Sequence, residues 1–161
     1  MSSTRVFQTC PVPGAPEDLG KAFRRDPTWW LPLPAQPEGP GQWNVRLDAG
    51  HYSRPALMAV GPPWDQGELT LRTLTWDPVA EDGERLAVER VLPAFSGEIG
   101  LRVVGPLTLV VEGSYEPPLG RVGATLDQTL LHKVADRTVR ELVIAVAKRL
   151  QASTLVANGP T

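Results

Sequence analysis

The chain has 161 residues, enough for one domain with a real core or an enclosed cavity, and its 42% apolar and 21% charged composition is that of a folded globular protein. Sixteen basic against eighteen acidic residues leave a net charge of −2 without a basic run, which takes away the attraction that dominates nucleic-acid binding and excludes that partner from expectation. The single cysteine excludes an intrachain disulfide framework; MSSTRVFQTC lacks the apolar core of a signal peptide, and LVIAVA at 142–147 is far short of the about 20 residues of a membrane span, so a cytoplasmic protein with no transmembrane segment is expected.

TRVFQTCPV (4–12) reads as a short first strand ended by Pro11 and Pro13. In APEDLGKAFRRD, Pro16 suits a first helical turn, Glu17 and Asp18 suit the positive end of the helix dipole, and Leu19, Ala22 and Phe23 share one face, which predicts a short amphipathic helix. PTWWLPLP then places Trp29 beside Trp30. Adjacent side chains cannot share a face, so one is expected to seal the core and the other to meet solvent or a cavity mouth. AQPEGPGQ reads as a Pro/Gly-rich loop.

Residues 42–116 read as strands. WNVRLDA alternates Trp43, Val45 and Leu47 with Asn44, Arg46 and Asp48. ELTLRTLTW changes phase between Leu69/Leu71 and Leu74/Trp76, which fits either a bulge or a strand apolar on both sides. RLAVERVLP puts Leu86, Val88 and Leu92 in phase with Arg90; EIGLRVV sets Ile99, Leu101 and Val103 against Glu98 and Arg102; PLTLVVEGSYEP sets Leu107, Leu109, Val111 and Tyr115 against Thr108, Glu112 and Ser114. After Pro117, Pro118 and Gly120, thirty residues without proline predict one long helix, with Leu126, Leu130, Val134, Thr138, Leu142, Ala145, Val146 and Arg149 or Leu150 as its apolar stripe. Strands followed by a segregated helix predict an α+β fold in one domain over 1–152, with 153–161 as a frayed tail.

APEDLGKAFRRDPTWWLPLP resembles the opening of the SRPBCC, or START-like, superfamily, and GPLTLVVEGSYEPPLGRVGATLDQTLLHKVADRTVRELV is similar to the last strand, corner and C-terminal helix of the same proteins, most closely of their uncharacterised bacterial members. The resemblance implies a helix-grip fold: a curved antiparallel sheet wrapped around the long C-terminal helix, with short helices after the first strand and a hydrophobic cavity between sheet and helix. Its members include lipid and sterol carriers, polyketide cyclases and aromatases. VGPPWDQGELTLRTLTWDPV matches no named activity.

GAPEDLGKA fails as a phosphate loop, with five residues instead of four before Gly-Lys and Ala22 in place of the magnesium-holding hydroxyl. Cys10 is expected to be buried and inert, and His132 with Asp136 to be an exposed pair on the helix. Two distant histidines and one cysteine supply no metal cluster, and no cofactor is expected. Arg90 is the polar group to watch: facing a cavity it could bind a carboxylate or phosphate, and otherwise it snorkels or pairs with Glu98, Glu112 or Glu116. The expected cavity wall comprises Trp30, Trp43, Trp76, Arg90, Phe95, Leu101, Tyr115, Leu126 and Leu130, although a ligand wall and a filled core draw on the same residue types. The expected function is binding of a hydrophobic small molecule such as a lipid, isoprenoid or polyketide-like compound. The alternatives are a cyclase or aromatase, against which the missing acid/base set counts, and a filled-core interaction module.

Overall fold

The computed structural model describes residues 4–48, 53–79, 92–116 and 128–157. β1 (Thr4–Pro11) leads into α1 (Pro16–Arg24), which starts on Pro16, Glu17 and Asp18, ends on the basic Lys21 and Arg24, and buries Leu19, Ala22 and Phe23. A 3-10 turn (Pro27–Trp29) follows, then β2 (Gln36–Gly39), β3 (Gln42–Asp48), β4 (Ser53–Val60), β5 (Trp64–Gln66), β6 (Leu69–Pro78), β7 (Ala94–Arg102), β8 (Thr108–Glu116) and α2 (Gln128–Ala157). Among the described residues the strands form one eight-stranded antiparallel sheet in the order β1-β8-β7-β6-β4-β3-β2, with β5 also paired to β6. α2 lies against β1, β8 and β3 and meets α1 and the 3-10 turn, so one core fills the space between sheet and helices.

β3 and β8 bury the residues their alternation predicts. One strand lies where the sequence reads as loop, and another, within the 42–116 stretch of strands, was not singled out by any alternation of its own. β2 falls in the Pro/Gly-rich stretch taken as loop, a short edge strand that tolerates Pro37 because its outer side needs no donor. β4 turns Arg54, Ala56, Met58 and Val60 inward, a pattern hidden by Pro55 and by the apolar Leu57 and Ala59 on the other face. β6 pairs with β7 without a break in register, so its phase change is no bulge. Thr70, Arg72, Leu74 and Trp76 point inward, whereas Leu71 packs over Gly100 on the outer face. α2 continues through Ala157 with Thr154 buried, past the expected boundary at 152, and its inner face is Ala135, Thr138, Val139, Leu142, Val143, Val146, Ala147 and Leu150. The strand expected at RLAVERVLP falls almost wholly, and the helix start before 128 wholly, outside the described residues.

Curvature has a local cause. Gly97 and Gly113 are direct partners across β7 and β8, on the face turned toward α2. A β-carbon at Gly97 would collide with the carbonyl oxygen of Glu112, and one at Gly113 would stand 2.5 Å from that of Ser96. The strands are pinched so tightly that only glycine fits. Phe95 uses the vacated space, its ring edge lying over both glycines. Gly97→Ala and Gly113→Ala are each expected to cost about 3 kcal/mol in urea unfolding. Gly20→Ala, in α1 with nothing within 4 Å of the new methyl group, is the control expected to be neutral or slightly stabilising.

Candidate functional site

Strand register brings four aromatic residues into one line across the concave face. Tyr115 pairs with Phe95, Phe95 with Trp76, Trp76 with Met58, and Met58 with Trp43. All five are buried. Trp76 and Phe95 stack with centroids 4.4 Å apart, and the Trp76 indole donates to the carbonyl of Pro93 at 2.9 Å, which fixes the ring's tilt. From α2, the exposed ring of His132 comes within 6.3 Å of the Tyr115 ring. The row therefore joins a wide apolar surface to a polar pair, Tyr115 and His132, at one end.

Four residues further along β6, about 13 Å at strand rise, the concave face changes character. Arg72 is buried there, its Nε donating to the carbonyl of Gly61 at 2.8 Å and its Nη1 to those of Phe23 and Arg25 at 2.9 and 2.8 Å. Phe23 and Arg25 end α1, so the guanidinium neutralises the negative end of that helix while tying it to the sheet. Burial lowers its pKa from the usual arginine value, with the charge of Asp26 acting in the opposite sense. Its guanidinium carbon lies 5.7 Å from the centre of the Trp30 ring, and Trp30 stacks on Phe23 at 5.2 Å. Trp30 is fully buried, and its Nε1 has no partner among the described residues.

The 3-10 turn is held from three elements. The Trp43 indole of β3 donates to Thr28 Oγ1 at 2.8 Å, Arg149 of α2 donates to the carbonyls of Thr28 and Leu31, and Arg72 of β6 holds the preceding helix end. Asp26 caps the turn by accepting from the Thr28 amide at 2.9 Å and the Thr28 hydroxyl at 2.7 Å. Those two bonds hold its carboxyl below the ordinary range; nearby Arg72 adds to the effect and partial burial opposes it. One end of the concave face is thus closed by α1 and the turn, and the aromatic row runs from Trp43, which touches that turn, across the sheet to Tyr115.

The sequence matches no protein-family model and no curated protein. Its structure is similar to solved ones. An aromatase/cyclase, ZhuI from Streptomyces sp. R1128, aligns over 99% of this chain and 100% of its own with a TM-score of 0.59 at 14% identity. TTHA0849 from Thermus thermophilus aligns over 93% and 99% with a TM-score of 0.54 at 14% identity, and Ara h 8.0201 over 96% and 99% with a TM-score of 0.52 at 14% identity. The chain has the helix-grip fold that these structures share.

Within this helix grip the expected wall residues separate into groups. Trp43, Trp76, Phe95 and Tyr115 form the row. Leu101 lies six residues from Phe95 along β7, about 20 Å away beside Thr70, and belongs to the closed end. Trp30 is also at the closed end, as the inward member of its pair. Arg90 and Leu126 lie outside the described residues, as does the side chain of Leu130. Among the described residues the arginines buried in the sheet are Arg54 and Arg72, which sequence reasoning passed over. Stepping by two from Trp76 through Leu74 reaches Arg72, but the apolar Leu69 and Leu71 mask that phase. Cys10 is half-buried rather than buried. Asp136 accepts from Gln8 at 2.6 Å and pairs with Arg140 at 3.1 Å. An open groove of about 380 Å³ over the outer side of α2 is lined by Lys133, Asp136, Arg137, Arg140 and Glu141, a charged lining unlike the row.

Arg72→Met is expected to destabilise by about 3 kcal/mol in urea unfolding, since carbonyls on two segments lose a charged donor, and Arg72→Lys to restore little because one ammonium cannot span them. For Asp26 the folded pKa is the lower one, so its stabilisation is complete above the unfolded carboxylate value and is lost as pH falls through the folded value. Asp26→Ala is expected to cost about 1 kcal/mol at neutral pH and almost nothing in strongly acidic solution, measured by urea unfolding at the two pH values.

Proposed function

We propose that the protein binds a hydrophobic small molecule with planar or ring character between the concave sheet face and α2. The observation that carries this reading is the continuous row Trp43–Met58–Trp76–Phe95–Tyr115, a broad apolar surface with the Tyr115–His132 pair at one end, the composition by which binding sites combine burial with orientation. Phe95 deepens it. Its ring lies over a glycine floor that presents no side chain of its own, so a shift of this one ring exposes flat space to a flat ligand. The similar fold of ZhuI, an aromatase/cyclase, supports the same ligand class by analogy.

Affinity would come from burial at about 25 cal/mol per Å² of apolar surface, less the cost of ordering the ligand. A lipid, an isoprenoid and a polyketide-like aromatic all meet these terms, and the stacked Trp76–Phe95 pair favours the aromatic. We read the protein as a cytoplasmic binder, acting as one domain without a nucleic-acid partner. A cyclase-type enzyme is the second reading, favoured by one observation, the approach of His132 to Tyr115 at one end of the row.

Native mass spectrometry of protein purified without added ligand, followed by organic extraction, is expected to find one hydrophobic molecule per chain. Trp76→Ala, still folded by circular dichroism, is expected to carry much less of it. An empty protein whose melting temperature does not move with lipids, quinones or polyketide aromatics would favour the filled-core interaction module instead.

A further inference from the structure

Among the described residues three tryptophans are buried, and the fold treats them unequally. The Trp43 indole donates to Thr28 Oγ1 and the Trp76 indole to the carbonyl of Pro93. Trp30, with none of its surface exposed, finds no acceptor: its Nε1 is the one buried side-chain nitrogen or oxygen left without a partner among the described residues. We infer that this N–H is the polar anchor of the bound molecule, which therefore carries an acceptor oxygen, such as a carbonyl, at the end nearest α1. The inference rests on the reading of the concave face as a ligand site and narrows its occupant from a hydrophobic ring compound to an oxygenated one.

A buried donor is costly to leave unmade, so an indole placed this deeply calls for a partner from outside the chain. The ring cannot turn to find one within it. It stacks on Phe23 with centroids 5.2 Å apart, and the Arg72 guanidinium carbon lies 5.7 Å from its centre. The backbone is held as firmly: Trp30 and Leu31 donate their amides to the carbonyl of Pro27, and Arg149 donates to the carbonyls of Thr28 and Leu31. A donor fixed in this way loses little freedom when an acceptor arrives, which is the condition for a polar group that orients a ligand. Its position suits the aromatic row. Thr28, two residues before Trp30, takes the Trp43 bond, so the segment carrying Trp30 borders the Trp43 end of that row. The neighbouring charge selects the kind of group. Arg72, which bonds the carbonyls of Gly61, Phe23 and Arg25, adds positive potential beside the indole, and this favours an electron-rich oxygen and disfavours an amine.

Methyl naphthyl ketone and isopropenylnaphthalene test the inference, since they match in shape and differ by one oxygen replaced with a methylene group. Titration calorimetry is expected to show the ketone binding about tenfold tighter, the worth of one buried hydrogen bond. In the proton–nitrogen NMR spectrum the Trp30 indole signal, identified by its contacts with the Phe23 ring, is expected to move downfield with the ketone and not with the hydrocarbon. Trp30→Phe keeps a ring against Phe23 but removes the N–H, and is expected to bind the two probes equally. The calorimetry and the spectrum use wild-type protein, so the test survives a Trp30→Phe chain that fails to fold. Equal binding of the two probes by wild-type protein, or ketone binding that leaves the indole signal in place, overturns the inference while the hydrophobic site stands. A long-lived water on that N–H which the ketone does not displace assigns the donor to buried solvent and overturns it too. Binding of neither probe overturns the site and its anchor together.

Discussion

Two missing β-carbons set the geometry on which the rest depends. Gly97 and Gly113 let β7 and β8 close on each other more tightly than side chains would allow, and a sheet pinched midway along these two strands curves toward the helix that lies on it. The curve turns the strands' inner positions into one concave surface. The same vacancy gives Phe95 a floor, which places its ring against Trp76 and in line with Tyr115. Shape and chemistry thus share a single steric cause.

A long sheet curved around one helix has ends to close, and polar interactions close the one at α1. Arg72, Arg149 and the Trp43 indole reach the α1–turn segment from three different elements and direct their donors to backbone carbonyls or a hydroxyl. Directional bonds to main-chain atoms fix a short irregular segment where apolar packing alone would let it slide. The arginine that resembles a ligand-binding charge in its burial is therefore committed to architecture. The aromatic row meets that segment only through Trp43 and otherwise runs across the sheet. The segment so fixed shows two faces: Trp30 completes the core, and Trp29 stands in solvent four residues after the exposed Arg25.

Much of the secondary structure was legible because burial on one face leaves a period in the sequence. α1 was readable from Leu19, Ala22 and Phe23 and from its proline and acidic start, β3 and β8 from strict alternation, and α2 from thirty residues without proline. β2 and β4 were not, since Pro37 and Pro55 are breakers anywhere except beside a free edge or at a position whose donor is not needed, and strand neighbours are unknown before the sheet is built. For the candidate site, composition supplied Trp43, Trp76, Phe95 and Tyr115 as wall types but could not separate them from Trp30 or Leu101. What separates them is register, a long-range property carried by pairs of strands.

Local pattern, then, determined by itself the order of the main elements, the α+β class and the resemblance that implied a helix grip, because propensity, capping and apolar period act within a few residues of chain. Tertiary structure alone decided which aromatics stand in one row, that Arg72 is buried and bound to the end of α1, and that Trp30 turns inward while Trp29 does not. Those outcomes depend on pairings between residues such as Gly97 and Gly113, or Arg72 and Phe23, whose separation in sequence leaves no local trace, and on the low-dielectric interior that makes each such pairing decisive.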